Sequence, residues 1–99
     1  MAHVYILECA DGSFYTGSTL DLEARLWQHQ RGLGANFTRA RLPVSVAFVE
    51  WTDDIEAAFH REKQIQGWSR AKKIALIEGR HHELPALSRP SASSEGPRG

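Results

Sequence analysis

Asp11-Gly12 lies between two runs of β-forming residues, Val4-Tyr5-Ile6-Leu7-Glu8-Cys9 and Phe14-Tyr15-Thr16-Gly17. An Asp-Gly pair in that setting is a strong hairpin signal, because the turn asks for positive φ at its centre. Strands are expected over about residues 3–9 and 13–18. A turn centred on the pair joins residues whose numbers sum to about 23. That places Tyr5 opposite Gly17 or Ser18, and Tyr15 near Glu8. The odd-numbered positions of both strands then share a sheet face, and a slip of one residue would turn one set over. Gly17 ends the second run at a point where a branched side chain would crowd a neighbour.

The remaining elements follow from caps and stops. Thr19 or Asp21 caps a helix that runs to Arg31, with Glu23 in its first turn and Gly32 as its stop. Gly32 to Pro43 is a polar loop carrying Asn36, Phe37, Thr38, Arg39 and Arg41. Connections of that length are more often functional than mere links. Val44 to Trp51 reads as a third strand, apolar on both faces and so expected at the centre of the sheet. Thr52-Asp53-Asp54 caps a helix from about Ile55 to Gly67, with Ile55, Ala58 and Phe59 as its buried stripe. Ser69 caps a last helix to about Glu78, with Ile74 and Ile77 inward and Gly79 as the stop. The order is an α+β layer, a three-stranded sheet backed by helices. Residues 1–82 form the expected domain, and 83–99, rich in Ser, Pro and Gly, a flexible and largely disordered tail.

With 99 residues the chain has room for one domain, which excludes a two-domain enzyme. No run approaches the roughly 20 apolar residues of a membrane span, and the start lacks the basic flank of a signal peptide. The single cysteine, Cys9, has no internal disulfide partner. A reducing cytoplasm is the expected setting. Net charge is zero, with 12 basic and 12 acidic residues, but the charges are segregated. Arg25, Arg31, Arg39 and Arg41 occur from Ala24 to Val49 without an acid, and Arg61, Lys63, Arg70, Lys72 and Lys73 accompany Glu62 alone. The pattern fits either an ordinary solvated surface or one basic face that meets nucleic-acid phosphates.

Several polar residues fall where apolar ones are expected. At roughly 100° per residue, His29 lies within about 20° of Leu22 on the helical wheel, with Arg25 about 60° to one side. His29 is either a hydrogen-bonded core histidine or a functional one. Glu62 falls seven residues after Ile55, on the same stripe. It either pairs with Arg61, Lys63 or Gln66 or binds a hard divalent cation. Tyr5 and Tyr15 are either plain strand residues or proton carriers. Together these residues supply what phosphodiester attack needs: a phenol to move a proton, an arginine to hold the phosphate and a carboxylate for magnesium. No Ser/His/Asp or Cys/His pattern competes, and Gly32-Leu33-Gly34 is too short for a phosphate-binding fingerprint.

The ordered segments resemble the GIY-YIG nuclease superfamily, and in particular its small standalone bacterial members. Val4-Tyr5-Ile6 and Tyr15-Thr16-Gly17 resemble the two halves of the name motif, with His3 in place of the first glycine and Thr16 in place of isoleucine. Leu22 to His29 resembles the arginine-bearing helix, Ala57 to Ile65 the glutamate-bearing helix, and Trp68-Ser69-Arg70 the segment that follows. The resemblance implies a three-stranded antiparallel sheet flanked by three helices. It implies a metal-dependent DNA endonuclease, acting in repair or processing, with one Mg²⁺ (or Mn²⁺). Carried over by position, Tyr5 or Tyr15 is the general base, Arg25 binds the scissile phosphate, His29 assists proton transfer and Glu62 holds the metal. Arg39, Arg41, Arg70, Lys72 and Lys73 are expected on DNA backbone. No separate DNA-binding domain accompanies these segments, so weak turnover alone and a larger repair complex as partner are expected. The alternative is a nucleic-acid-binding or adaptor module with the same fold and little turnover.

Overall fold

In the computed structural model, which describes residues 1–80 and 84, Asp11-Gly12 closes the expected hairpin. The turn is one residue longer than the shortest kind. Cys9 N donates to Ser13 O at 2.8 Å, Ser13 N donates to Asp11 Oδ1 at 3.0 Å, and Gly12 takes φ +85°. A three-residue loop ending in a left-handed glycine is a standard hairpin solution. It joins β1 (Ala2–Glu8) to β2 (Phe14–Thr19). The extra residue lowers the pairing sum by one. Tyr5 therefore faces Gly17, and Tyr15 faces Leu7 rather than Glu8. Both tyrosines lie on the same face of the sheet, as expected.

The third strand, β3 (Ser45–Thr52), pairs antiparallel with β1, so the strand order is β2-β1-β3. This corrects the expected placement of β3 at the centre. The hairpin leaves one edge of β1 open, and β1 buries every residue from Val4 to Leu7, so it takes the middle position. β3 is an edge strand that exposes Val46 (44%) and Trp51 (56%). A bulge lies between Ile6 and Leu7, where the partner shifts from Phe48 to Val46.

Helices then cover the faces. Asp21 caps α1 (Leu22–Gln30) by accepting from Ala24 N at 3.1 Å. Leu22 and Leu26 of α1 pack on the cluster of Tyr5, Leu7, Cys9 and Val44. The polar loop after α1 holds a four-residue helix, α2 (Asn36–Arg39), which periodicity does not reveal. Asp54 Oδ1 accepts from Ala57 N at 2.8 Å at the start of α3 (Ile55–Gln66). The buried residues of α3 are Ala58 and Ile65, whereas Ile55 and Phe59, expected inward, are exposed. The buried row is turned by one position because Ala58, Glu62 and Ile65 share it at helical spacing.

A second unit begins at Gly67. Its described helix, α4 (Arg70–Ile77), is capped by Ser69, which accepts from Lys72 N at 3.2 Å. Ala75 and Leu76 are its buried apolar residues, while Ile74 and Ile77 are half-buried. The expected boundary after residue 82 and the tail 83–99 lie outside the described residues, Leu84 excepted. No helix among the described residues is long and apolar enough to cross a membrane.

Candidate active site

Gly17 is what allows Tyr5 to reach the β2 edge. The Tyr5 ring lies across Gly17, and a Cβ there would meet Tyr5 Cζ at 2.6 Å and overlap its hydroxyl. The phenol points instead at α1, where its hydroxyl lies 3.0 Å from His29 Nε2. His29 is fully buried. Its other ring nitrogen, Nδ1, lies 2.8 Å from Thr38 Oγ1, and Thr38 donates to Ala35 O at 3.0 Å. Gly34 packs flat on the imidazole, where a Cβ would meet Cε1 at 2.8 Å and overlap Nδ1. Tyr15 covers another side of the ring at 5.2 Å between centroids and stacks on Phe37 at 6.1 Å.

The electrostatics keep this chain of groups neutral. Burial, together with the Arg25 charge, lowers His29 from 6.5 to about 4, so the imidazole is uncharged at neutral pH. Burial also raises the Tyr5 phenol above its ordinary 10.0, against the pull of Arg25. The charges of Tyr15 and Glu62 push it the same way as burial. Tyr5 therefore stays protonated until a base takes its proton. Arg25, half-buried, donates to Gln28 Oε1 at 3.0 Å and forms no ion pair among the described residues.

Glu62 reaches the same edge from the opposite face. Ser18 Oγ donates to Glu62 Oε1 at 2.5 Å, and Gln66 Nε2 donates to Oε2 at 2.7 Å and to Thr16 O at 3.2 Å. Both donors are neutral. They hold the half-buried carboxylate without cancelling its charge. Residues 17 and 18 of β2 are thus the seam: Gly17 passes the phenol on one face and Ser18 holds the carboxylate on the other.

The basic residues are placed differently from one another. Arg39 donates to Asn36 Oδ1, and Arg41 pairs with Asp11 at 3.2 Å while lying over the Phe37 ring at 3.9 Å. In the second unit Lys72 is 7% exposed, with Nζ over the Trp68 ring at 4.0 Å. Arg70 is exposed and Lys73 half-buried. Gln66 was one of the partners the sequence offered for Glu62, whereas Thr38, Gly34 and Ser18 were not singled out as site residues. For Gly34 and Thr38 the signal was the length of the loop that holds them.

The GIY-YIG catalytic domain matches residues 1–75 of the chain. The chain belongs to this family. It is 46% identical to a UPF0213 protein of Halobacterium salinarum over 77 residues, covering 78% of this chain and 100% of that one. It is 47% identical to a UPF0213 protein of Streptococcus sanguinis over 79 residues, covering 80% and 91%. A solution NMR structure of a UPF0213 protein from Bacillus halodurans aligns with a TM-score of 0.52 at 40% identity, covering 79% of this chain and 84% of that one. GIY-YIG is a nuclease superfamily whose nucleases generally use a divalent metal, and membership implies DNA as the substrate. In this GIY-YIG chain the two halves of the name motif face each other as the Tyr5–Gly17 pair.

The donor set fits a sparsely held metal. No group of three or more His, Cys, Asp or Glu converges among the described residues. One oriented carboxylate suits Mg²⁺, which keeps most of its water shell.

The low pKa of His29 carries a stability consequence. The folded state resists protonation of His29 while the unfolded chain accepts it. Stability is then full above about pH 6.5 and falls as pH drops toward 4, by about 3 kcal/mol. Asp11, lowered from 3.8, loses its contribution only below that window. Melting curves between pH 7 and 4 are expected to show this slope, and His29→Asn to flatten it. An unchanged slope in the variant would place the titration elsewhere.

Proposed function

We propose that the protein is a metal-dependent DNA endonuclease that hydrolyses phosphodiester bonds during DNA repair or processing. The observation that carries this reading is the Tyr5 hydroxyl set against Nε2 of a buried, uncharged His29, beside Arg25, which forms no ion pair among the described residues. A phosphate on Arg25 is held by a planar fork that suits two oxygens at once. Its negative charge also offsets the Arg25 charge that lowers His29, so substrate binding raises the basicity of the imidazole. Tyr5 then takes a proton from the attacking water as its own proton passes to Nε2. The water oxygen bonds to phosphorus and the bond to the leaving oxygen breaks; that oxygen takes a proton from solvent, giving a free hydroxyl beside the phosphomonoester, and His29 later returns its proton to solvent. A divalent ion on Glu62 would supply charge neutralisation at the phosphate oxygens. Tyr15 shields the imidazole, which favours Tyr5 over Tyr15 as the proton carrier. Arg39, Arg41, Arg70 and Lys73 are assigned to DNA backbone without base readout. Lys72, with its ammonium over Trp68, is the weakest member of that set.

The test is nicking of supercoiled plasmid with and without Mg²⁺. The reading expects Mg²⁺-dependent nicking in the full chain and none after EDTA. Arg25→Lys should lower the rate by about 10²-fold, because a point charge does not reproduce the fork. Binding of plasmid with no nicking at any metal concentration would favour the binding-module alternative and overturn the nuclease reading.

A further inference from the structure

We infer that Thr38 is the positioning residue that fixes the tautomer of His29, with Gly34 holding the plane of the ring. The inference rests on the reading that Tyr5 passes its proton to His29. That transfer needs Nε2 bare, and a neutral imidazole has one bare nitrogen and one that carries hydrogen. The choice between them is made on the Nδ1 side. Thr38 is fully buried and has a single hydroxyl hydrogen. It is given to Ala35 O, three residues back, the usual habit of a threonine in a helical turn. The Thr38 oxygen therefore presents lone pairs to Nδ1 at 2.8 Å, which places the ring hydrogen on Nδ1. Nε2 is left as the acceptor for the Tyr5 O–H at 3.0 Å.

The Tyr5 side agrees. Its hydroxyl has one hydrogen to give, and Nε2 of His29 is the side-chain group at hydrogen-bond distance from it among the described residues. With the opposite tautomer, Nε2 would itself carry a hydrogen, and the Tyr5 hydrogen would have no acceptor among these groups. Gly34 adds the second constraint, since a side chain there would push the imidazole off both partners. The chain of donors runs Tyr5, His29, Thr38 and ends on a backbone carbonyl. It contains no carboxylate behind the histidine. The orienting group is neutral, unlike the aspartate of a serine-protease triad.

The experiment is a long-range ¹H–¹⁵N spectrum of the uniformly labelled full chain at pH 7, with His29 assigned by its loss in His29→Gln. The inference expects a hydrogen-bearing Nδ1 and a bare Nε2 in the wild type. Thr38→Ser keeps that pattern, and Thr38→Val loses it. In plasmid nicking, Thr38→Val should fall by on the order of 10²–10⁴-fold, the range of a general acid–base group, and Thr38→Ser should stay within a few-fold of wild type. A hydrogen on Nε2 in the wild type would overturn the inference without any variant having to fold. So would a folded Thr38→Val that keeps the wild-type tautomer or nicks at the wild-type rate. A wild type that nicks no DNA would refute the nuclease reading, while the spectrum still decides the tautomer.

Discussion

Glu62→Gln is expected to remove Mg²⁺-dependent nicking, by about three orders of magnitude or more, while the protein still folds. The argument is electrostatic. Ser18 and Gln66 orient the carboxylate through neutral donors and leave its charge for a cation. An amide keeps the shape and part of the hydrogen bonding but loses the charge that attracts a hard divalent ion. A metal-ion contribution of several kcal/mol to the transition state corresponds to that loss in rate. The stability cost is small, because one glutamine oxygen can still accept from Ser18. Circular dichroism and melting of the variant should match wild type closely. Persisting Mg²⁺-dependent nicking in a folded Glu62→Gln would remove Glu62 from the metal site.

Gly17→Ala carries the second large effect, on both stability and the site. The added methyl would sit on the Tyr5 ring, which is itself buried between α1 and the hairpin. Overpacking of this kind costs about 1–3 kcal/mol. For a domain of this size each kcal/mol is about 4–8 °C of melting temperature. The same displacement pulls the hydroxyl away from His29, so nicking should fall together with stability. A double-mutant cycle separates the cause. In a Tyr5→Ala background there is no ring to strike, and Gly17→Ala should then cost almost nothing. An equal penalty in both backgrounds would show that the effect belongs to the backbone of β2 and not to the Tyr5 contact.

Much of this architecture is written locally in the chain. Asp21, Asp54 and Ser69 accept from the backbone amides expected of caps, so the starts of α1, α3 and α4 were legible to within a residue or two. His29 and Glu62 stood out because each interrupts an apolar row, and in the fold each is held by hydrogen bonds from another element. What was not legible is what depends on distant partners. The place of β3 in the sheet follows from which edge of β1 is left open, and an apolar sequence such as Val44 to Trp51 reads the same at the centre or the edge. On α3 both Phe59 and Ile65 are apolar, and only the docking of the helix decides that Ile65 is the one buried. Thr38 is one threonine in a polar loop until α2 brings it to His29.

The turn at Asp11-Gly12 acts on the site through parity. Its loop holds an odd number of residues, and side chains alternate strictly along a strand. Removing Ala10 would shorten the turn by one and exchange the faces of β2 while leaving every residue of β1 in place. Ser18 would then lie opposite Tyr5 and crowd the phenol, and Tyr15 would leave the imidazole for the side occupied by α3. A change that touches no functional group would separate the phenols from each other and the carboxylate from its serine. The turn is thus a counting device, and its length is as much a requirement of the site as the identity of any residue in it.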